Sequence, residues 1–452
     1  MSQSTNNDVA TATAPEASGS LPGPKSAGLV ARDEAAMSPS YTRPYPFAMD
    51  RGVGVRAWDL DGNEFLDMTA GIAVTATGHS HPKVVRAVQQ QAERFLHMSG
   101  TDFYYEPEVD VAERLIETTP GDFEKRVFLT NSGAEAVEGA IKMTRYATGR
   151  PGLIAFHGAF HGRTMGALSL TASKAIQRAG FAPLVPGVTH VPYPNPYRPP
   201  LGASPDDCGR AVIAYIENEV FARTQPASEV AAVFVEALQG EGGYITPPDD
   251  FLPGLREMCD RHGILLVVDE IQTGMGRTGR WWASEHVGVE PDVLLSAKGL
   301  ASGLPLGAIV AKAEYMSWPP GSHGTTFGGN PVCCAASVAT FEVIEEEGLL
   351  RNATEMGDRF RAGLHDLAAR YEQIGDVRGL GLWVAAELIT DPATKTPNPA
   401  LRDEIVQRAY DHRLLLLGAG KSTLRLMPGL NIAAAEVDEA LARLGDVFAE
   451  VV

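Results

Sequence analysis

The chain has 452 residues, too many for one ordinary hydrophobic core, and 44% of them are apolar, which suggests a large globular protein of two or three sub-domains. A formal net charge of −18 repels polyanions and argues against nucleic acid as a partner. No run approaches the roughly 18 to 20 apolar residues of a membrane span, and the N-terminus lacks the basic-then-apolar order of a signal peptide. A cytoplasmic protein with no membrane partner is therefore expected.

In chain order, residues 1 to about 40 are rich in Ser, Ala, Thr, Pro and Gly without apolar period, and are expected to form a flexible tail. Residues 41–98 alternate turn signals with short strands, Val55 to Trp58 and Phe65 to Asp67, around the turn Asp59-Leu60-Asp61-Gly62-Asn63. Over residues 99–341, short apolar runs alternate with amphipathic helices, the pattern of a mostly parallel sheet buried on both faces. Its strands are expected at Arg126 to Leu129, Leu153 to Phe156, Ala231 to Val235, Ile264 to Val268, Val293 to Ser296 and Ala308 to Ala311. Residues 342–452 are expected to form a C-terminal small domain of helices with a final strand, Ser422 to Leu426. In such α/β sheets, ligands bind at the carboxyl ends of the strands.

Cys208, Cys259, Cys333 and Cys334 show neither metal-ligand spacing nor a disulfide framework. The pair at 333 and 334 is read as small hydrophobes on a helix. His79 and His81, two apart with no third ligand, are read as a loop before a helix rather than a metal site.

Only nine lysines occur. Lys298 stands apart, because it follows the apolar strand Asp292-Val293-Leu294-Leu295-Ser296 and precedes Gly299-Leu300-Ala301-Ser302-Gly303. An amine there is partly desolvated, which lowers its pKa and suits Schiff-base chemistry; the plain alternative is a surface lysine after a strand. Asp269 ends the apolar run Ile264-Leu265-Leu266-Val267-Val268. A carboxylate at the tip of a central strand is costly without a cation. A cofactor's pyridinium nitrogen can supply that cation; the plain alternatives are an N-cap or a structural ion pair. Leu129-Thr130-Asn131-Ser132-Gly133-Ala134-Glu135 runs from a strand through a small-residue turn into a helix, a start that can bind phosphate or serve as a plain cap. Gly418-Ala419-Gly420-Lys421-Ser422-Thr423 imitates a nucleotide phosphate loop, but Leu415 stands where that pattern needs glycine and a strand follows. ATP binding is therefore rejected.

Five segments resemble the signatures of class III (ω-amino acid) aminotransferases, which depend on pyridoxal 5'-phosphate. They are Asn131-Ser132-Gly133-Ala134-Glu135-Ala136, Phe156 to Thr164, Glu236 with Gln239 to Gly243, Val268 to Gly274 and Thr325 to Pro331. The resemblance runs from about Tyr41 to the C-terminus. It lies nearest the 4-aminobutyrate aminotransferases and related archaeal amino-acid racemases. It implies fold type I: a large cofactor-binding domain over 99–341, and a smaller α+β domain built from 41–98 and 342–452.

Carried over residue by residue, the resemblance makes Lys298 the lysine that carries the cofactor as a Schiff base and moves the proton. Asp269 pairs with the ring nitrogen. Ser132 binds the cofactor, Gly133 and Ala134 offer backbone donors to its phosphate, and Thr326 reaches the phosphate of a neighbouring subunit, so a homodimer with shared sites is expected. Phe160 and Ile271 cover the two ring faces, Gln272 bonds the ring hydroxyl, and His161 and Glu236 lie beside the cofactor. His161 is read chiefly as a structural hydrogen-bonder. Arg163 and Arg425 are the carboxylate clamps, Glu241 pairs with Arg425, and Ile72 narrows the substrate pocket unless it is only core packing.

The expected reaction is transfer of an amino group from 4-aminobutyrate or a related ω-amino acid to 2-oxoglutarate. The rival is an ornithine- or alanine-type racemase on the same scaffold, because Val188 to Arg198 resembles archaeal members. Gln272-Thr273-Gly274 leans toward transfer. A cofactor-free scaffold protein is a third possibility, against which Lys298 and Asp269 together argue.

Overall fold

The computed structural model describes residue 19 and residues 21–452. A seven-stranded sheet forms its centre, in the order Lys125–Thr130, Gly307–Lys312, Val293–Ser296, Leu265–Asp269, Val230–Glu236, Gly152–Phe156 and Val188–Val191. Gly307–Lys312 runs antiparallel to both neighbours, and the remaining neighbouring pairs are parallel. Every residue of Val230–Glu236 and of Leu265–Asp269 is buried, as apolar runs with helices on both sides require. Alternation then divides the side chains. Phe234, Val267, Leu295 and Ile309 pack with Ala136, Val137 and Ala140 of helix Gly133–Thr148, while Val233, Val235, Leu266 and Val268 pack with Phe251, Leu255 and Met258 of helix Phe251–His262.

Two smaller sheets complete the fold. Met49–Val53, Arg56–Asp59 and Glu64–Asp67 form one with Leu414–Leu415, where Leu66 pairs parallel with Leu414 and joins the two ends of the chain. Ile374–Leu380, Trp383–Leu388, Thr423–Leu426 and Leu417–Ala419 form the other, all antiparallel. Helices Leu349–Ala368, Pro399–Asp411 and Ala434–Val451 belong to this C-terminal part. The expected α/β architecture, a large mostly parallel sheet flanked by helices with a smaller sheet region, is what the chain adopts.

Residues 24–36, expected within a flexible tail, instead form the helix Pro24–Ala36; the rest of that expectation, over residues 1–18 and 20, lies outside the described residues. The helix begins with proline, whose missing N–H costs nothing there. Its orphan N–H groups are received from far along the chain: Lys25 N and Ser26 N donate to the Asp61 carboxylate at 2.9 and 2.8 Å. Local composition carries no trace of a cap 35 residues away.

All four cysteines are free and buried, with Cys333 and Cys334 on helix Pro331–Glu346. His79 Nε2 lies 2.8 Å from Asp67, and His81 Nδ1 accepts Lys83 N at 3.3 Å to cap helix Pro82–Arg94. Among the described residues, no group of three or more His, Cys, Asp or Glu is arranged to hold a metal ion. Gly418 to Thr423 spans the turn between strands Leu417–Ala419 and Thr423–Leu426, with no helix to receive a phosphate.

Candidate active site

The parallel ladder brings the strand ends into one row: Glu236 pairs with Asp269, and Asp269 with Leu295. Two residues beyond Ser296 stands Lys298, and helix Gly133–Thr148 begins at the same edge. Between them lies a cavity of about 490 Å³. Its walls include Ser132, Gly133 and Ala134 at the helix start, Phe160, His161 and Arg163 from the loop after Phe156, Glu236, Glu241, Asp269, Ile271, Gln272 and Lys298.

Lys298 opens a short 3₁₀ turn, Lys298–Ala301, with a left-handed φ of 42°. That conformation costs a non-glycine residue on the order of 1–2 kcal/mol, and Lys298 lines the cavity. Lys298 is half-buried, and the surrounding protein desolvates its amine. Burial therefore pushes its pKa down to about 8, against the opposing pull of the Asp269 carboxylate.

Asp269 is 4% exposed. His161 Nδ1–H donates to its Oδ2 at 2.7 Å and Ile271 N–H to its Oδ1 at 3.0 Å. Burial opposes a charged His161 ring, but the bond to Asp269 outweighs it and raises the imidazole pKa. His161 Nε2 is buried and has no hydrogen-bond partner. Glu236 is held by the N–H groups of Phe160 and Gly240 at 2.8 and 2.7 Å. Burial lifts its carboxyl to about 7, with His161 opposing and Asp269 assisting.

Ser132 caps helix Gly133–Thr148 by accepting Glu135 N at 3.3 Å, and Glu135 in turn receives Asn131 N and Nδ2, both at 2.9 Å. The N–H groups of Gly133 and Ala134 thus open the helix without a carbonyl of their own to bond. A Cβ at Gly133 would fall 2.7 Å from Ile271 Cδ1, so a larger residue there would push the Ile271 side chain aside. The Arg163 guanidinium lies 5.4 Å from the centre of the Phe160 ring.

Arg425, 6% exposed on strand Thr423–Leu426, donates from Nη1 to Glu241 Oε2 at 3.3 Å, and its Nε is buried without a partner. Arg425 does not line the cavity wall, whereas its partner Glu241 does. Two further expected residues stay off that wall. Thr326 is exposed on the loop before helix Pro331–Glu346. Ile72 is 44% exposed, which rules out core packing within this chain. It sits in a run of left-handed residues, Ala70, Gly71, Ile72 and Ala73, with φ of 45°, 62°, 69° and 58°.

Sequence reasoning missed Val74, Leu238 and the segment Leu304 to Leu306 on the cavity wall, which are apolar residues with no chemical signature. It also missed Lys174, whose Nζ donates to Glu241 Oε1 at 2.7 Å. Nothing in the stretch Thr171-Ala172-Ser173-Lys174 advertises a partner 67 positions away.

Comparison with known proteins adds to this geometry. The sequence model of a family described as aminotransferase class-III matches residues 37–448. A 5-aminovalerate aminotransferase of Pseudomonas putida is 41% identical, over 94% of this chain and 98% of the relative. A 4-aminobutyrate aminotransferase of Escherichia coli is 40% identical, over 93% and 98%, and an alanine/serine racemase of Pyrococcus horikoshii 39%, over 93% and 90%. Among solved structures, an amine transaminase from an uncultivated Pseudomonas species in its PLP-bound form superposes with a TM-score of 0.85 at 31% identity, covering 92% of this chain and 98% of that one. Pyridoxal 5'-phosphate needs an amine for its aldehyde, a carboxylate for its ring nitrogen, an acceptor for its hydroxyl and N–H donors for its phosphate. The cavity offers Lys298, the buried Asp269, a Gln272 Oε1 that is buried without a partner, and the helix start at Gly133, so the residues present fit the group.

Proposed function

The chain belongs to the class III aminotransferase family, with pyridoxal 5'-phosphate as its cofactor, and on that premise we propose that it moves an amino group from 4-aminobutyrate or a related ω-amino acid to 2-oxoglutarate. When bound, the cofactor supplies an aldehyde to hold the amino group and a protonated ring that draws electrons from the substrate carbon.

The residues of this chain do the rest. Lys298, with its amine near pKa 8, takes the proton from the substrate carbon and delivers it on the transfer side; a base poised near neutrality is efficient in both directions. Asp269 keeps the ring nitrogen protonated, and His161 fixes Asp269 through the 2.7 Å bond. Ser132, Gly133 and Ala134 would hold the phosphate, Phe160 and Ile271 would flank the ring, Gln272 would hydrogen-bond its hydroxyl, and Glu236 braces the Phe160 and Gly240 backbone. Arg163 holds one substrate carboxylate.

One observation carries the choice of reaction. Arg425 is buried yet only partly satisfied, opposite Glu241 at 3.3 Å. A guanidinium that a protein carboxylate can neutralise, or a substrate carboxylate can claim, suits an enzyme that alternates between a donor without an α-carboxylate and an acceptor with one. The 4-aminobutyrate and 5-aminovalerate relatives support the same donor class.

We also propose a cytoplasmic homodimer. Thr326, Ile72, Phe103, Tyr104 and Phe327 are all exposed, and the homodimer reading has a second copy cover them, with Thr326 serving its phosphate. Among the described residues, no helix is long and apolar enough to cross a membrane.

The racemase reading stands second, on the strength of the Pyrococcus horikoshii relative. Incubating purified holoenzyme with single amino acids, with and without 2-oxoglutarate, separates the two. Glutamate formed only with 2-oxoglutarate and an ω-amino donor supports transfer; a scrambled α-carbon without any acceptor supports racemisation.

A further inference from the structure

Glu241 has two cationic partners. Lys174 Nζ lies 2.7 Å from Oε1, and Arg425 Nη1 lies 3.3 Å from Oε2, so each side of the carboxylate is held by a different cation. The shorter contact is to the lysine. Arg425 Nε has no partner, so Glu241 leaves the guanidinium unsaturated. The Glu241 backbone is tied down, its carbonyl accepting Gly420 N at 2.8 Å, so parting from Arg425 is a movement of the side chain. The backbone around Lys174 is tied down too, its carbonyl accepting Gln177 N at 3.1 Å. Gly158 N and Ala172 N bond Ala172 O and Ala159 O at 3.0 and 2.8 Å just before it, and Ser173 Oγ donates to Gln177 Oε1 at 2.6 Å across the short turn that it begins. Its side chain is 41% exposed, against 19% for Glu241 and 7% for Arg425.

We propose that Lys174 is a positioning residue that sets substrate specificity, holding Glu241 aside while Arg425 binds a substrate α-carboxylate. This rests on the functional reading above, in which Arg425 meets an α-carboxylate. When a substrate claims Arg425, Glu241 loses one partner in a partly desolvated site, and a carboxylate left there alone is costly. With Lys174 present, Glu241 keeps a partner throughout, and Arg425 opens readily. Without it, Glu241 turns wholly to Arg425, which favours donors with no α-carboxylate. Lys174 thus tilts the enzyme toward α-carboxylate substrates.

The test uses holoenzyme carrying K174M or K174R, with L-glutamate and 4-aminobutyrate supplied separately and each single half-reaction followed spectrally. In K174M, the KM for L-glutamate should rise about two- to fivefold, the size expected of a partly exposed ion pair, while that for 4-aminobutyrate holds or falls. K174R should restore the wild-type ratio. A lysine that merely braced its loop would shift both substrates alike, so equal shifts, or none, overturn the proposal. If the wild type converts no ω-amino acid, the reading of the reaction fails, and Lys174 is then judged on L-alanine binding. A weaker affinity in K174M that K174R restores supports it, and an unchanged affinity overturns it.

Discussion

Replacing Asp269 by asparagine removes one charge from the centre of the site and almost no volume. The residue is 4% exposed, accepting Ile271 N–H on one oxygen and His161 Nδ1–H on the other. Asparagine can keep the Ile271 bond through its amide oxygen, but its NH₂ then faces His161, whose ring must present an acceptor instead. The fold should therefore survive. A hydrogen bond to a charged group contributes roughly 1.5–3 kcal/mol. If the ring nitrogen of the cofactor meets Asp269, its affinity should fall about 10- to 150-fold, at 1.4 kcal/mol per decade. Turnover should fall by orders of magnitude, because an unprotonated ring is a poor electron acceptor. A second consequence does not involve the cofactor. Asp269 supports the charged form of Lys298 against burial, so in the apo-protein the Lys298 pKa should drop further below about 8. Titrating the cofactor into apo-protein, timing the half-reaction with L-glutamate and following amine labelling at Lys298 against pH measure all three. Cofactor affinity and rate within a few-fold of wild type would refute the assignment of Asp269.

Lys298→Ala should abolish turnover and the absorbance of lysine-bound cofactor while leaving the protein folded, as circular dichroism and gel filtration would show; borohydride trapping on another lysine would contradict it. Arg425→Ala should impair the 2-oxoglutarate half-reaction by about 2–5 kcal/mol, the cost of removing one partner of a buried charge pair, while 4-aminobutyrate still loads the enzyme with its amino group, as stopped-flow spectra with each substrate alone would report. The Lys298 amine is a nucleophile only when uncharged, and its pKa is depressed to about 8. Capture of added cofactor by apo-protein should therefore quicken as pH rises through about 8 and then level off, whereas a rate still climbing near the ordinary lysine pKa would show that the amine is not desolvated.

The central strands were legible because burial on both faces leaves a continuous apolar run, and the same logic exposed Asp269 and Lys298 as polar groups at the ends of such runs. Val293–Ser296 lies where expected, and other predicted central strands differ at their ends by a residue or so. Edge and surface strands left a weaker trace. Val188–Val191 carries Thr189 and His190 at the sheet margin, and Ile374–Leu380 is half-buried along most of its length with glycines within it; neither shows an apolar run or a clean alternation. Helix Pro24–Ala36 was invisible because its cap, Asp61, belongs to a turn that folding brings near. The same limit applies at the site. The resemblance pointed to Glu241 and Arg425 as a pair, but Lys174 on the other side of that carboxylate becomes apparent only once the loops after two different strands are packed together.

Mixing the wild-type holoenzyme with 4-aminobutyrate alone, in the absence of any 2-oxo acid, tests the proposed reaction most directly. Transfer predicts a single-turnover loss of the absorbance of lysine-bound cofactor, one equivalent of the aldehyde product per site, and its return on adding 2-oxoglutarate with one equivalent of glutamate. An unchanged spectrum with 4-aminobutyrate and 5-aminovalerate, together with conversion of an L-amino acid into its D-enantiomer, would contradict the account.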